Sequence, residues 1–484
     1  MISPAPIAAR RSIAVSLPLV ALLVHTTSVT AQESALSEQT NQSATNAALS
    51  AQQPAAPLPA APSPKPIGMT GQVTEWLFVR AEFRGRLEGF SGGGFNSDST
   101  DGYMLDRFKL NATVTPSKSL KFVVQAQDAR AFDKTGGGSA PPFRDLFDLR
   151  LAYGELGNTR YSVRVGRQEL AFGDQRLLGH LNWTNTARSF DGVRATIKTT
   201  ALQFDLLATS VVTLSPDAFD RSGGGHALYG FYGSSNAWIP KAVVEPYVLW
   251  RQSDGLTAES GGIGTLRQAT MGARVVGKLP AGFDWGTELA LQAGSVAADD
   301  VHAWAGHWVA GRTFAKAAGE PRLFGEYNFA SGDADPKDGT RGTFDQLYPT
   351  GHDKYGLADQ VGWRNIEHLR AGAELKPHAQ WQLTGSYHTW WLAQARDALY
   401  NSAGAVVTRS LDGAAGRYVG QEVDAQATYT YSPQLQISGG YAYVIPGEFL
   451  EATTPGHAYR YGYLMITYVF VGEGPAIRQG RSSR

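Results

Sequence analysis

Apolar and charged residues alternate strictly near the start of the main body of the chain. In the segment EWLFVRAEFRGRLEGF (75–90), charged residues occupy even positions from Arg80 to Glu88, while apolar or small residues occupy odd positions from Val79 to Leu87. Successive side chains of a β-strand point to opposite faces, so this pattern predicts a strand with one apolar and one charged face. A charged face repeated on strand after strand is typical of a wall between lipid and a water-filled lumen.

The same alternation recurs along most of the chain. It is clear in the segments 107–114, 120–127, 147–153, 160–165, 193–198, 202–209, 368–375, 381–388, 422–429, 435–443 and 459–470. The pattern is weaker between 226 and 312, where Pro246 interrupts one candidate strand, but we still expect several strands there. We find no amphipathic helix of useful length after the first 72 residues.

The connections between these segments alternate in length. Short polar breaks lie at 115–118, 157–159 and 431–433, and long ones at 91–101, 131–144 and 330–362. Short turns on one side and long loops on the other are the arrangement of outer-membrane barrels, and closure removes exposed sheet edges. With about 16 to 18 candidate strands, the sequence predicts an all-β fold, a single transmembrane antiparallel β-barrel with short periplasmic turns and long extracellular loops.

Composition narrows the class of protein. A mean hydropathy of −0.23 is too polar for a bundle of membrane helices. The one long apolar run, 13–24, follows two arginines and precedes Val29-Thr30-Ala31, which predicts a secretory signal peptide over 1–31. The formal net charge of zero gives no reason to expect nucleic acid as a partner. We therefore expect an exported protein of the bacterial outer membrane, in contact with its lipid.

Two further segments flank the predicted barrel. Residues 32–72 are rich in Ala, Pro and Gln and cannot build a core, so we expect a disordered periplasmic extension, with binding of a periplasmic partner as the alternative. The barrel is expected over 73–470 and ends on an aromatic-rich strand, Tyr459–Phe470. A polar, basic tail follows at 471–484.

One motif resembles a known family. The stretch GRQELAFGDQRLLG (166–179), with Asn182-Trp183 and SFDGVR (189–194) after it and GQEVD (420–424) near the end, is similar to the alginate export family. The likeness covers about 73–470, although the loop 330–362 looks like the broader set of relatives that share the domain. The resemblance implies an 18-stranded, monomeric outer-membrane barrel. It also implies a lumen lined by arginines, with acidic residues among them, through which an anionic polysaccharide leaves the cell.

Passage of a polyanion needs a cationic lining without deep binding wells, and guanidinium suits this role because it stays charged and pairs with carboxylates. By alternation, the candidate lumen-facing cations are Arg80, Arg84, Arg86, Arg107, Lys109, Lys121, Arg150, Arg164, Arg194 and Arg370. Arg167 and Glu169 lie in the family motif and are expected at a pore constriction or as loop anchors. Candidate acidic partners across strands are Glu82, Asp148, Asp191 and Asp205. The alternative is that these charges only stabilise a wet wall by pairing.

Other candidate chemistry is weak. Asp333, Asp335 and Asp338 resemble a calcium loop, but Lys337 occupies a ligand position, which favours an ordinary surface loop. His302 and His307 fall on opposite faces, whereas Trp304 and Trp308 share one, as in an aromatic girdle.

No motif for nucleophilic, metal-dependent or phosphate chemistry is present in the sequence. Glu422 and Asp424 lie on one strand face, as expected in a charged lumen. We expect no catalysis, cofactor or metal. The predicted function is passive passage of an anionic solute, first an alginate-like polysaccharide. A porin for small organic anions and a loop-plugged structural barrel are the alternatives.

Overall fold

The computed structural model describes residues 71–470. The predicted signal peptide and tail, and all but the last two residues of the predicted extension, lie outside the described residues. Eighteen long strands form one closed antiparallel wall. They are β1 (Leu77–Ser91), β2 (Thr100–Ser117), β3 (Leu120–Phe132), β4 (Asp145–Gly157), β5 (Tyr161–Gln168), β6 (Phe190–Lys198), β7 (Leu202–Thr213), β8 (His226–Ser235), β9 (Ala242–Thr257), β10 (Ile263–Lys278), β11 (Phe283–Val296), β12 (Asp299–Thr313), β13 (Arg322–Ala330), β14 (Ile366–Leu375), β15 (Trp381–Trp391), β16 (Tyr418–Thr430), β17 (Leu435–Pro446) and β18 (Tyr459–Phe470).

The wall closes through its first and last long strands. β1 pairs with β18 from Ala81 opposite Phe470 to Ser91 opposite Arg460. Closure satisfies the backbone groups that an open edge would leave unpaired. This confirms the predicted 18-stranded barrel and the predicted final strand.

Several smaller elements are present in addition to the eighteen wall strands. They are the short strands Gln72–Thr74, Arg221–Ser222 and Thr340–Arg341, the hairpin of Ala398–Tyr400 with Val406–Arg409, the 3-10 turns Gly93–Phe95 and Pro280–Gly282, and the α-helix Glu448–Thr453. Among the described residues, no helix combines the length and apolar character needed to cross a bilayer.

The two faces of the wall follow the alternation in the sequence. Phe83, Leu87 and Phe108 point outward and are 37%, 54% and 42% exposed. Arg84 and Arg107, on the inner face of the same two strands, are only 4% and 2% exposed. Trp304 and Trp308 also share the outer face, with His307 on the inner one. An apolar exterior and a polar interior are the requirements of a lipid-embedded barrel.

Two local expectations were wrong. Pro246 does not interrupt its strand: β9 runs continuously through it, and only the pairing with β8 skips Glu245 and Pro246. In β4 the register against β3 shifts between Gln125 and Ala126, so Leu151 and Tyr153 leave the outer face on which they were expected. The ring of Tyr153 instead lies 4.4 Å from the guanidinium of Arg164.

The interior differs between the two ends of the barrel. Most of the short turns, such as 118–119 and 158–160, lie at one end, and the long loops 169–189, 331–365 and 392–417 lie at the other, as predicted. The two-residue turn 297–298 is an exception at the long-loop end. Inward-facing side chains near the long loops are buried, for example Arg107 and Glu422, whereas those near the short turns, such as Thr115 and Thr428, are partly or fully exposed. The barrel therefore has a packed half at the long-loop end and an open vestibule at the short-turn end.

Candidate functional site

The packed half is filled by two long loops that fold into the lumen. Loop A (169–189) starts between β5 and β6, yet it contacts Arg84 of β1 and Arg107 of β2 on one side. Its Arg176 reaches Glu326 of β13, donating a hydrogen bond of 3.0 Å to the carboxylate. Because these strands lie on different sides of the barrel, loop A crosses the lumen.

Loop B (331–365) enters from between β13 and β14 and joins loop A. The amide of Tyr348 donates to the carbonyl of Leu177 at 2.9 Å, and the amide of Gly179 donates to the carbonyl of Tyr348 at 2.8 Å. Loop B is also held by the wall: Gln292 of β11 exchanges hydrogen bonds with the backbone of Asp345. We call the two loops together the plug (169–189 and 331–365).

The contact between the loops explains the glycine that ends the motif FGDQRLLG. A Cβ atom on Gly179 would lie 2.2 Å from the hydroxyl of Thr350 and 2.8 Å from its backbone nitrogen. Only glycine fits at such a distance, because the backbone of Thr350 cannot move aside as a flexible side chain could. The motif identified from the sequence is therefore the part of loop A that pairs with loop B.

Four of the predicted cations meet on loop A. Arg84 donates to the carbonyls of Asn182 and Thr184 at 2.8 and 3.0 Å, and Arg107 donates to the same two carbonyls. Arg86 donates to the carbonyl of Trp183 at 2.7 Å and covers its ring, and Lys109 donates to the side chain of Asn182 at 2.7 Å. Carbonyl groups buried inside a lumen need such donors, and guanidinium supplies several at once.

Carboxylates balance only part of this charge. Glu82 pairs with Arg107 at 3.1 Å, Glu88 pairs with Arg86 at 2.5 Å, and Glu169 pairs with Arg150 of β4. Five cations (Arg84, Arg86, Arg107, Lys109 and Arg150) thus face three carboxylates on this side of the lumen. The excess of positive charge lies where the plug meets the wall.

At the centre of the plug lies Arg176, which sequence reasoning missed. It donates to the hydroxyl of Tyr355 at 3.1 Å and pairs with Glu326 and Asp174. Burial opposes its charge, but these acceptors outweigh burial and raise the pKa of Arg176 above its usual value. Burial likewise opposes the charge of Asp174, and Lys354 and Arg176 hold its pKa well below the usual range. The FGDQR motif contains both Asp174 and Arg176, but these charges belong to no alternating strand pattern, so the sequence does not indicate which side chains they meet.

We expect Arg176→Met to loosen the plug while the wall stays closed. The change removes the closest cation of Glu326 and leaves Asp174 with Lys354 alone, and breaking a buried ion pair in this way costs about 3–5 kcal/mol. Thermolysin cleavage within loop A, followed in detergent by mass spectrometry, should become faster. Arg396→Met, a change at an exposed arginine, is the matched control and should leave the cleavage rate unchanged. Equal protection of loop A in both variants would contradict the central role of Arg176.

The vestibule contains a second group of predicted cations. Lys121 and Arg164 share Glu155 at 2.9 and 2.6 Å, and their side chains are 36% and 24% exposed. Arg194 pairs with Asp205 at 2.8 Å. Arg80 is exposed near the short-turn end of β1. These side chains, unlike those beneath loop A, remain accessible to a solute that enters the vestibule.

Arg167 occupies a different environment from the one expected. It lies opposite Asp191, on the face that carries Val165, and forms two hydrogen bonds to that carboxylate at 2.9 and 3.1 Å. It also donates to the carbonyls of Leu149 and Asp220, each at 3.1 Å. Arg167 thus anchors the loop 214–225 to the wall, one of its two expected roles, and this placement does not support a pore-lining role. Asp148 likewise accepts from the amide of Asp220.

On the opposite wall, polar side chains form a continuous buried chain. His307 contacts Asn328 at 2.8 Å, Asn328 contacts His368 at 2.9 Å, and His368 contacts His388 at 2.9 Å. His388 in turn lies 3.0 Å from Asp424. Alternation places His368, His388 and Asp424 on the polar faces of their strands, but it gives no indication that these side chains meet, and Asn328 was not identified.

The remaining candidates support loop B. Arg370 donates to the side chain of Ser386 and lies 3.4 Å from Asp353 of loop B. Glu422 accepts from the amides of Leu357 and Ala358, at 2.6 and 3.3 Å.

The three acids of the 333–338 segment are not brought together. Each carboxylate accepts a nearby backbone amide instead: Asp333 from Asp335, Asp335 from Lys337, and Asp338 from Thr340. Within 71–470, one group of acidic side chains does lie close enough to share an ion, and it consists of other residues, Asp145, Asp148 and Asp220.

Several solved structures are similar to this fold. OpdO of Pseudomonas aeruginosa is 12% identical with a TM-score of 0.55, over 82% of this chain and 97% of its own. OccAB2 of Acinetobacter baumannii is 13% identical with a TM-score of 0.55, over 81% and 97%. A BenF-like porin from Pseudomonas fluorescens Pf-5 is 12% identical with a TM-score of 0.55, over 81% and 98%. At such identities the likeness shows the fold alone.

The sequence itself assigns the family. No curated protein matches it. A family model described as Alginate export matches residues 75–463, which is most of the chain and includes all eighteen strands at least in part. With its closed wall and apolar exterior, this chain is therefore a bacterial outer-membrane β-barrel that belongs to the alginate export family.

Proposed function

We propose that this barrel is a passive channel for anionic solutes, and that the first of these is an alginate-like polyuronate on its way out of the cell. The observation that carries the proposal is the excess of buried cations over carboxylates where β1, β2 and β4 meet loop A. A fixed positive potential in a low-dielectric passage attracts carboxylates and repels cations.

The vestibule supports the same direction of selectivity. On one side of the vestibule, Lys121, Arg164 and Arg194 remain partly exposed beside two carboxylates, Glu155 and Asp205. On another side, Arg322 pairs with both Asp284 and Glu374. Guanidinium groups that already share a carboxylate bind a further one weakly enough to release it, and rapid release is a condition for conduction. Family membership favours the polysaccharide among possible anions.

A second candidate function is passage of small organic anions. It is favoured by the plug, because loops A and B fill the long-loop half of the lumen and would have to move before a polymer could pass. The two candidates therefore differ in whether the plug must open.

Planar-bilayer recordings on the purified full chain test both. We expect anion selectivity from the reversal potential in a salt gradient, and block of the current by uronate oligomers. Neutral oligosaccharides of equal length are the matched control and should not block. Block by monomeric carboxylates alone would favour the small-anion porin. The absence of any current, even after loop A has been removed, would overturn the channel proposal and leave a structural barrel.

We also propose that the channel works as a monomer, because the wall is closed by its own strands and each loop of the plug comes from the same chain. The periplasmic partner of the N-terminal extension stays a prediction. Since the family is described as Alginate export and one of the similar structures is a BenF-like porin, we propose no catalytic activity.

A further inference from the structure

The wall has a seam at the long-loop end of β4. Strands β4 and β5 pair only from Gly157 up to Ala152, which lies opposite Arg167. Above that point loop A turns into the lumen, and the loop 214–225 covers the free side of β4 instead. The amide of Leu146 donates to the carbonyl of Pro216 at 3.3 Å, and the amide of Asp220 donates to the carboxylate of Asp148.

Three carboxylates meet at this seam. Oxygens of Asp145, Asp148 and Asp220 all lie within 4.8 Å of one another. Asp145 and Asp148 are each only 3% exposed. Three like charges at this spacing repel strongly unless a cation or protons neutralise them.

The side chain of Asp145 is the second observation that points to a ligand. Its Oδ1 atom is buried and has no hydrogen-bond partner, although Asp148 and Asp220 both accept backbone amides. A buried carboxylate oxygen without a donor is costly, and such atoms in a folded protein call for an explanation. One oxygen of the same Asp145 carboxylate lies within 4.8 Å of oxygens of the two other acids.

The cations nearest to the cluster are already matched. Arg167 forms an ion pair with Asp191, through two hydrogen bonds. Arg130 pairs with Asp128 at 2.6 Å, and that pair accounts for the remaining acid near Asp145. The three carboxylates at the seam are therefore left with a net negative charge.

We propose that Asp145, Asp148 and Asp220 bind one Ca²⁺ ion, which holds the loop 214–225 against the long-loop end of β4, where β5 does not pair with it. The donor set contains only carboxylate oxygens, the ligands that hard cations prefer, and it lacks the nitrogen or sulfur that zinc prefers. Ligand oxygens on opposite sides of one Ca²⁺ are about 4.6–5.2 Å apart, twice the usual bond length, so oxygens within 4.8 Å of one another can share one such ion. Three carboxylates suit Ca²⁺ better than Mg²⁺, which usually keeps several waters and takes only one or two carboxylates. Water would supply the remaining ligands.

Calorimetric titration of the full chain tests the proposal. The protein is refolded into detergent without lipopolysaccharide, which itself binds Ca²⁺, and is treated with a chelator. We expect one saturable site for Ca²⁺, weakened about 10-fold or more in Asp145→Asn and Asp220→Asn. Asp338→Asn, which changes an exposed acid elsewhere, is the control and should bind as the wild type does. Ca²⁺ should raise the unfolding temperature of the wild type and the control, but not of the two site variants.

Two results would overturn the proposal. One is the absence of saturable binding to the wild type up to about 10 mM Ca²⁺, well above the range of weak extracellular sites. The other is wild-type affinity in both site variants. An increase in stability of Asp145→Asn without Ca²⁺, combined with a wild type that does not respond to Ca²⁺, would show that the acids share protons instead.

Discussion

Replacing loop A (169–189) with a two-residue Asn-Gly turn is expected to raise the single-channel conductance several-fold, while the barrel stays folded. The geometry allows the replacement, because Gln168 at the end of β5 lies directly opposite Phe190 at the start of β6. A two-residue turn closes such an antiparallel pair, and Asn-Gly supplies the required positive φ angles.

The size of the effect follows from where loop A lies. It crosses the lumen from β1 and β2 to β13, and it is also the partner of loop B through the pairing of Leu177 with Tyr348. Without it, loop B loses its contact in the centre, and the five cations beneath loop A meet water. An 18-stranded barrel without a plug is wide enough for an aqueous channel.

Single-channel recording measures the conductance, and the heat-dependent mobility of the barrel in detergent gels reports whether it has folded. The matched control deletes residues 136–139, a glycine-rich and mostly exposed part of another long loop, and should conduct as the wild type does. A folded variant without loop A whose conductance equals that of the wild type would contradict the assignment of the plug.

The combined variant Lys121→Gln, Arg164→Gln and Arg194→Gln is expected to lose anion preference and to favour cations at low salt. These side chains are three partly exposed cations on one side of the vestibule, and their removal leaves Glu155 and Asp205 without cationic partners in the same space. Elsewhere in the vestibule, Arg322 already faces two carboxylates, Asp284 and Glu374. The sign of the fixed charge that a permeating ion meets is thereby reversed.

The reversal potential in a salt gradient measures this change, and the effect should shrink at high ionic strength because salt screens exposed charges. The matched control changes three arginines on the outer face, Arg130, Arg312 and Arg460, to Gln. It removes the same charge without touching the lumen. A comparable shift in both variants would mean that surface charge rather than the vestibule sets the selectivity.

Much of the wall could be predicted because a strand is a local pattern. The alternation in 75–90 and in 459–470 repeats every two residues, so each segment shows its own two faces without reference to the rest of the chain. The same reasoning placed His302 and His307 on opposite faces. It was wrong in β4, because the register shift beside Arg150 depends on the partner strand.

The site was predicted only in part. Alternation placed Arg84, Arg86 and Arg107 on the inner face correctly, but it could not show that backbone carbonyls of loop A cover them. Arg176 and Gly179 were noticed as parts of a motif, and their roles became clear only from the pairing of the two loops.

The sequence by itself determined a closed, lipid-facing wall with charge on its inner face, because the period of two along each strand encodes which side chains meet lipid. Only the tertiary structure decided what those charges face. The partners of Arg84 lie about a hundred positions away in a loop without periodicity. The carboxylates of Asp145 and Asp220 come from the start of β4 and from the loop 214–225. Such contacts depend on how the closed wall brings its loops together, and a pattern of neighbouring residues in the sequence cannot predict which loops meet.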